Sequence, residues 1–161
     1  MSHTVTALVI PGPCSPEAAA AWDLVPVPLA ADLTLFHLTH YYTAYQQAVQ
    51  GISDQLVLPA TAPLLFPREG VVTVIAAALA GPTAFALIHT NYTAGIGEQY
   101  AVTAEAGAPP RPAGTINAAL RALGITARPG LDEFDTVGLA RHRSPPDHLD
   151  RFADLCDELG V

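Results

Sequence analysis

The residues best equipped for chemistry lie in one stretch, His89-Thr-Asn-Tyr-Thr-Ala-Gly-Ile-Gly-Glu-Gln-Tyr100, where a histidine, two tyrosines and a glutamate surround a Gly-x-Gly pair. Two roles fit. The glycines can cradle an anion if they sit between a strand and a helix, so that backbone N–H groups and the helix N-terminus face the ligand. Alternatively they supply the positive-φ positions of a hairpin turn or bulge. Residues 83 to 92 alternate as a strand does, with Phe85, Leu87, His89 and Asn91 on one side and Ala86, Ile88, Thr90 and Tyr92 on the other. Residues 99 to 105 alternate as well, with Tyr100, Val102 and Ala104 on one face. A strand thus follows the glycines where a phosphate loop needs a helix, and a third glycine, a lysine and a following Ser or Thr are missing. The pattern favours a hairpin. That hairpin would still crowd His89, Asn91, Tyr92, Glu98 and Gln99 at one end of a sheet, where converging polar groups define a candidate ligand pocket.

The other reactive side chains are more scattered. His37 and His40, in HLTH, would share a face on a helix but point to opposite faces of a strand. The helix is expected to begin only near His40, which separates them. A metal would also need a third ligand, with His89 or Glu98 arriving from elsewhere in the fold. The simpler reading is that these are ordinary histidines beside Tyr41, Tyr42 and Tyr45, and no metal or cofactor is expected. No Gly-x-Ser-x-Gly elbow occurs, and Ser53 lacks the strand-turn-helix setting of one. Cys14 precedes a helix start, a position that can lower a thiol pKa, but no histidine is placed beside it. Carboxylate pairs can be drawn from Glu98 and Glu105, or from Asp132, Glu133 and Asp135, as in any acidic protein. No catalytic residue is assigned, and the reading leans away from an enzyme.

Charge is concentrated at the C-terminal end. Eight of the fifteen acidic residues fall between Asp132 and Glu158, against three arginines. At about 100° per residue, Leu149, Phe152, Leu155, Cys156 and Leu159 form an apolar arc, with Asp147, Asp150, Asp154, Asp157 and Glu158 roughly opposite. A solvated face explains this pattern, since net charge favours solubility. A one-signed face also steers a partner of opposite sign. The leading functional expectation is therefore a small acidic binding protein, an inhibitor or immunity-type protein in one version, that engages a basic protein through the last helix and the 132 to 135 loop. The alternative is a small enzyme or ligand-binding domain at the His89 end of the sheet. A structural homo-oligomer forms a third class and would need a large apolar patch shared between copies.

These groups need elements to hold them. Residues 4 to 10, TVTALVI, read as a buried opening strand ended by Pro11-Gly-Pro13. Ser15, Thr39 and Thr115 are set as N-caps of helices, and Gly124 with Ile125 as a Schellman end. Leu33 to Thr39 is β-prone, and Leu56 to Leu58 is a candidate short strand in a proline-rich crossing over 52 to 70. Val71 to Leu79, apolar on both faces, suits a central strand. The segment 107 to 114 reads as a loop, and the last helix is expected to start at Ser144 with Pro145 in its first position. Together they predict one α+β domain over 1 to 161, a mostly antiparallel sheet of about four to five strands with helices on one face.

Composition sets the outer bounds. A chain of 161 residues buries roughly 70% of its unfolded surface on folding, enough to stand without staples. The longest apolar run, Gly70 to Pro82, is far short of the ~20 residues of a membrane-spanning helix. The N-terminus lacks a basic region before its short apolar stretch, so a cytoplasmic location is expected. All seven basic residues are arginine and the net charge is −8, which makes nucleic acid a poor partner. Cys14 and Cys156 are expected to be free thiols.

Overall fold

The computed structural model describes residues 2 to 105 and 107 to 161. Its centre is β1 (Ser2–Pro11), the opening strand, which pairs antiparallel with β3 (Leu33–Leu38) on one side and β4 (Phe85–Thr93) on the other. β5 (Ile96–Ala104) follows β4 in a hairpin, and two-residue strands, β2 (Val27–Pro28) and β6 (Arg111–Pro112), close the edges. The order is β2-β3-β1-β4-β5-β6, antiparallel throughout. The expected α+β sheet is thus present, with six strands because two short edge pairings add to the four long ones. Gly107 to Gly114, expected as a loop, contains one of these edges.

Helices cover both faces of this sheet rather than one. On the first face Leu8, Ile10, Phe36, Leu38, Leu87 and Val102 pack against α1 (Pro16–Ala21), α2 (His40–Val49), α3 (Val71–Ala80) and α6 (Arg151–Leu159). On the second, Val5, Ala7, Val9, Leu35, Ala86, Ile88 and Ala101 pack against α4 (Ile116–Ala122), α5 (Glu133–Val137) and a 3-10 turn at Leu139–Arg141. The physical reason is in β1 itself. Its run Ala7-Leu-Val-Ile10 is apolar at every position, and a strand apolar on both sides must be covered on both sides.

Local signals place most helix ends. Ser15, Thr39 and Thr115 each accept the backbone N–H three residues on, from Ala18, Tyr42 and Ala118. α4 closes as a Schellman motif, with Gly124 N–H donating to Arg121 O and Ile125 N–H to Leu120 O.

Three further expectations are corrected. Val71–Ala80 is a helix, not a central strand. Val71, Val72, Ile75, Ala76, Leu79 and Ala80 are buried while Val74, Ala77 and Ala78 are exposed, a helical period that an apolar sequence on every side conceals. Its alanine-rich second half also favours helix. Leu56–Leu58 makes no strand; one isolated bridge joins Gln55 to Glu69. Ser144 does not start the last helix, because Pro146 holds Pro145 out of the helical region. The chain passes through a 3-10 turn at Asp147–Leu149 before α6 begins at Arg151. Among the described residues no helix is long and apolar enough to cross a membrane.

Candidate functional site

The glycine stretch is a hairpin. Thr93 pairs with Ile96, leaving Ala94 and Gly95 as a two-residue turn with φ of 52° and 80°, the mirror-image geometry that suits the twist of two strands. Gly97 is needed for another reason: a Cβ there would overlap the carbonyl oxygen of Asn91 on the paired strand. The five polar residues do gather at the hairpin end, but the sheet divides them. His89 pairs with Tyr100 and Asn91 with Glu98 on the α2/α3 face, while Thr90 pairs with Gln99 and Tyr92 with Gly97 on the α4/α5 face. Two clefts result, one on each side.

The α4/α5 cleft, about 330 Å³, is lined by His3, Thr90, Tyr92, Gln99, Asn117, Asp132 and Arg143 among others. Its polar groups are largely occupied with holding the fold. His3 Nε2 is 3.1 Å from Leu139 O and must donate to it, so in the neutral ring Nδ1 accepts from Thr90 Oγ1 at 2.7 Å. Gln99 Oε1 accepts the Ile116 N–H at 2.9 Å, anchoring the start of α4. Asn117 takes the Phe134 N–H and donates to Asp132, tying α4 to α5.

The α2/α3 cleft is larger, about 570 Å³. Its floor is β1 and β4, carrying Thr6 and His89; one wall is the start of α2, with Thr39, His40 and Thr43. The other wall is the 52 to 70 crossing, which contributes Leu64 to Glu69. His89 is only 3% exposed. Its Nδ1 lies 2.9 Å from Thr6 Oγ1, and its Nε2, fully buried, has no hydrogen-bond partner among the described residues. Tyr100 Oη, on the neighbouring strand, is in the same condition. Phe66 stands edge-on to both rings, with centroids 6.2 Å from His89 and 5.0 Å from Tyr100. Burial lowers the His89 pKa, opposed by the Glu98 carboxylate, so the ring is neutral around pH 7. An unmet buried polar group costs about 1–3 kcal/mol, so two side by side mark a place where the fold tolerates cost.

The remaining expected residues separate. His40 joins His89 in the cleft, but His37 points to the opposite face, 6.3 Å from the His142 ring. Among the described residues no three metal-ligand side chains converge. Cys14 and Cys156 are free, and burial pushes both thiols up rather than activating them. The C-terminal segment lays Leu149, from the 3-10 turn, and Phe152 and Cys156, from α6, on the core and leaves Asp147, Asp150, Asp154, Asp157 and Glu158 exposed. The acidic 132 to 135 segment is no loop and does not extend that surface. Asp132 caps α5 on the other face of the sheet, and Glu133 is buried against Arg121 at 2.9 Å, which holds its carboxyl below the usual range.

Thr6, Thr39, Phe66 and Arg68 were not anticipated as site residues. Thr39 was visible as a cap, but the others come from separate stretches that only the packing of the crossing over β4 brings together. Comparison with protein families, with characterised proteins and with solved structures finds no match for the chain.

Proposed function

We propose that the protein binds a small molecule in the cleft between the start of α2 and the 52 to 70 crossing. The observation that carries this is His89, which lines a cleft of ligand-binding size with a buried, unpartnered Nε2. The Thr6–His89 pair resembles half of a hydroxyl nucleophile with its base, but no carboxylate orients the far nitrogen among the described residues. Binding is therefore favoured over covalent catalysis. A fragment screen followed by backbone amide NMR tests it. Ligands should move Thr6, Thr39 and His89 together and raise the unfolding temperature, as anything binding only the folded state must. A screen in which hits move only residues elsewhere would refute the assignment.

A second reading is supported by α6. Its carboxylates Asp154, Asp157 and Glu158, with Asp147 and Asp150 just ahead of it, are exposed, and the only ion pair the helix makes among the described residues is Arg151 with Asp23 at 3.3 Å. Such a face suits a basic protein, as in an inhibitor or immunity-type complex. Reversing Asp150, Asp154 and Asp157 to lysine should leave the circular dichroism spectrum unchanged and abolish capture of a basic partner that salt also releases. Undiminished capture by the triple variant would reduce the acidic face to a solvated one.

A further inference from the structure

Between α5 and α6 the chain changes sides of the sheet. Leu139 belongs to the core on the α4/α5 face and Leu149 to the core on the α2/α3 face. No residue from 140 to 148 is buried, and the regular structure there is limited to the 3-10 turns at either end. Among the described residues one backbone hydrogen bond ties this segment to the sheet, from the Thr4 N–H to Arg143 O at 2.8 Å. The others it makes stay local: Arg141 N–H to Gly138 O and His142 N–H to Leu139 O. Arg143 Nε likewise donates to Ala140 O at 3.2 Å. A segment with few buried apolar side chains is where a fold opens locally. It forms a strap across one end of the sheet, and through Ala140 and Arg143 it walls the α4/α5 cleft.

Beneath the strap lies His37. It stands on β3 opposite Ala7 of β1, is buried, and meets the ring of His142 edge-on with centroids 6.3 Å apart. Its Nδ1 is fully buried and has no hydrogen-bond partner among the described residues. The titratable groups that act on it are His142 and His148 from the strap and His3 from β1, with no carboxylate among them. The remaining charges of the strap are Arg141, Arg143 and Asp147, all exposed, with cations in excess. β2, the other neighbour of β3, contributes Val27 and Pro28, which carry no charge. α2 follows β3 directly, but its His40 lines the cleft on the opposite face. A proton on His37 would therefore lack water, a counter-charge and an acceptor. Burial first, and the three histidines second, push its pKa from 6.5 down to about 4. With the strap lifted the ring meets water and recovers its ordinary basicity.

We propose that residues 140 to 148 are an acid-released strap: a proton settles on His37 only when the strap has lifted, so acid favours the lifted state. Because Ala140 and Arg143 wall the α4/α5 cleft, the same motion opens that cleft on one side. The sign follows from linkage. The closed strap is favoured in full above 6.5, where neither state holds the proton, and loses that advantage as pH falls toward about 4. Between about pH 7 and about pH 5 the lifted population should grow about twentyfold.

The test is amide hydrogen exchange on the full chain, labelled with 15N, at about pH 7 and about pH 5, expressed as protection so that the intrinsic effect of pH on exchange cancels. The Thr4 N–H, which donates to Arg143 O of the strap, should lose about twentyfold in protection between the two conditions. It should also stay well below the Leu8 N–H, at the buried centre of the sheet, which reports opening of the whole fold. In His37→Gln, where the side chain takes no proton, Thr4 protection should be the same at both. Constant protection of Thr4 in the unaltered protein would overturn the proposal. Equal protection at Thr4 and Leu8 would overturn it as well, since the whole fold rather than the strap would then be opening. A loss at Thr4 that persists in His37→Gln would show that another group carries the switch and refute the role of His37. The first two results are read on the unaltered protein and decide against the strap even where the variant fails to fold.

Discussion

Replacing His37 by glutamine should flatten the acid limb of the stability curve. His37 sits on β3, on the α4/α5 face, 7% exposed, with Nδ1 unpartnered among the described residues. Burial first, and then the nearby His142, His148 and His3, push its pKa down from 6.5 to about 4. The unfolded chain binds this proton near 6.5, so between these two values it holds a proton that the folded state refuses. The contribution to stability is complete above 6.5 and is lost as pH falls toward the folded value. The gap between 6.5 and about 4, at about 1.4 kcal/mol per unit, comes to about 3 kcal/mol. His89 is lowered by burial too and works in the same direction, so the comparison must be between unaltered protein and variant rather than absolute. Urea unfolding, followed by the fluorescence of the single tryptophan, Trp22, would be measured from about pH 7.5 to about pH 4. The unaltered protein should lose about 3 kcal/mol more over that range than His37→Gln. Two curves that run parallel with pH would refute the reasoning, because they would mean that His37 takes its proton as readily in the fold as out of it.

The hairpin can be probed by a pair of glycine replacements. Gly97→Ala forces a Cβ onto the Asn91 carbonyl and should cost about 2–4 kcal/mol, whereas Gly95→Ala, in open space at φ 80°, should cost only about 1–2. Thermal unfolding would rank them, at about 2–4 °C per kcal/mol for a chain of this size, and the reverse order would contradict the pairing of β4 with β5. Phe152→Ala should cost about 3–5 kcal/mol, since the ring is fully buried and 5.0 Å from Tyr42. Leu159→Ala on the same helix, with 50% of the residue exposed, should cost less than about 1 kcal/mol; similar losses for both would mean α6 docks differently. Thr115→Ala removes the acceptor of the Ala118 N–H, bonded at 3.1 Å, and should cost about 1 kcal/mol by chemical denaturation, with Thr115→Ser restoring most of it.

What could be read from the sequence alone was whatever is decided within a few residues. The caps at Ser15, Thr39 and Thr115 and the Schellman end at Gly124 depend on a side chain or a positive φ next to the backbone it serves. The β4–β5 hairpin is equally local, since alternation on both sides of a short glycine-containing turn leaves few other pairings. The free cysteines and the apolar arc of α6 also followed from position and period.

Tertiary structure decided whatever depends on residues far apart in the chain. Val71–Ala80 is apolar all round, so its period was invisible until the core showed which side it buries. One local rule also overrode another: the two adjacent prolines after Ser144 outweigh its capping preference and delay the last helix. The cleft is the clearest case. His89 was singled out with Asn91, Tyr92, Glu98 and Gln99 because they are close in sequence, yet a strand sends alternate residues to opposite faces. Tyr92 and Gln99 therefore went to one cleft and His89 to the other, where its companions Thr6, Thr39, His40 and Arg68 come from three other segments. Short-range rules fix where elements begin and end; which side chains meet is set by how two covered faces of one sheet are filled, and no local pattern carries that information.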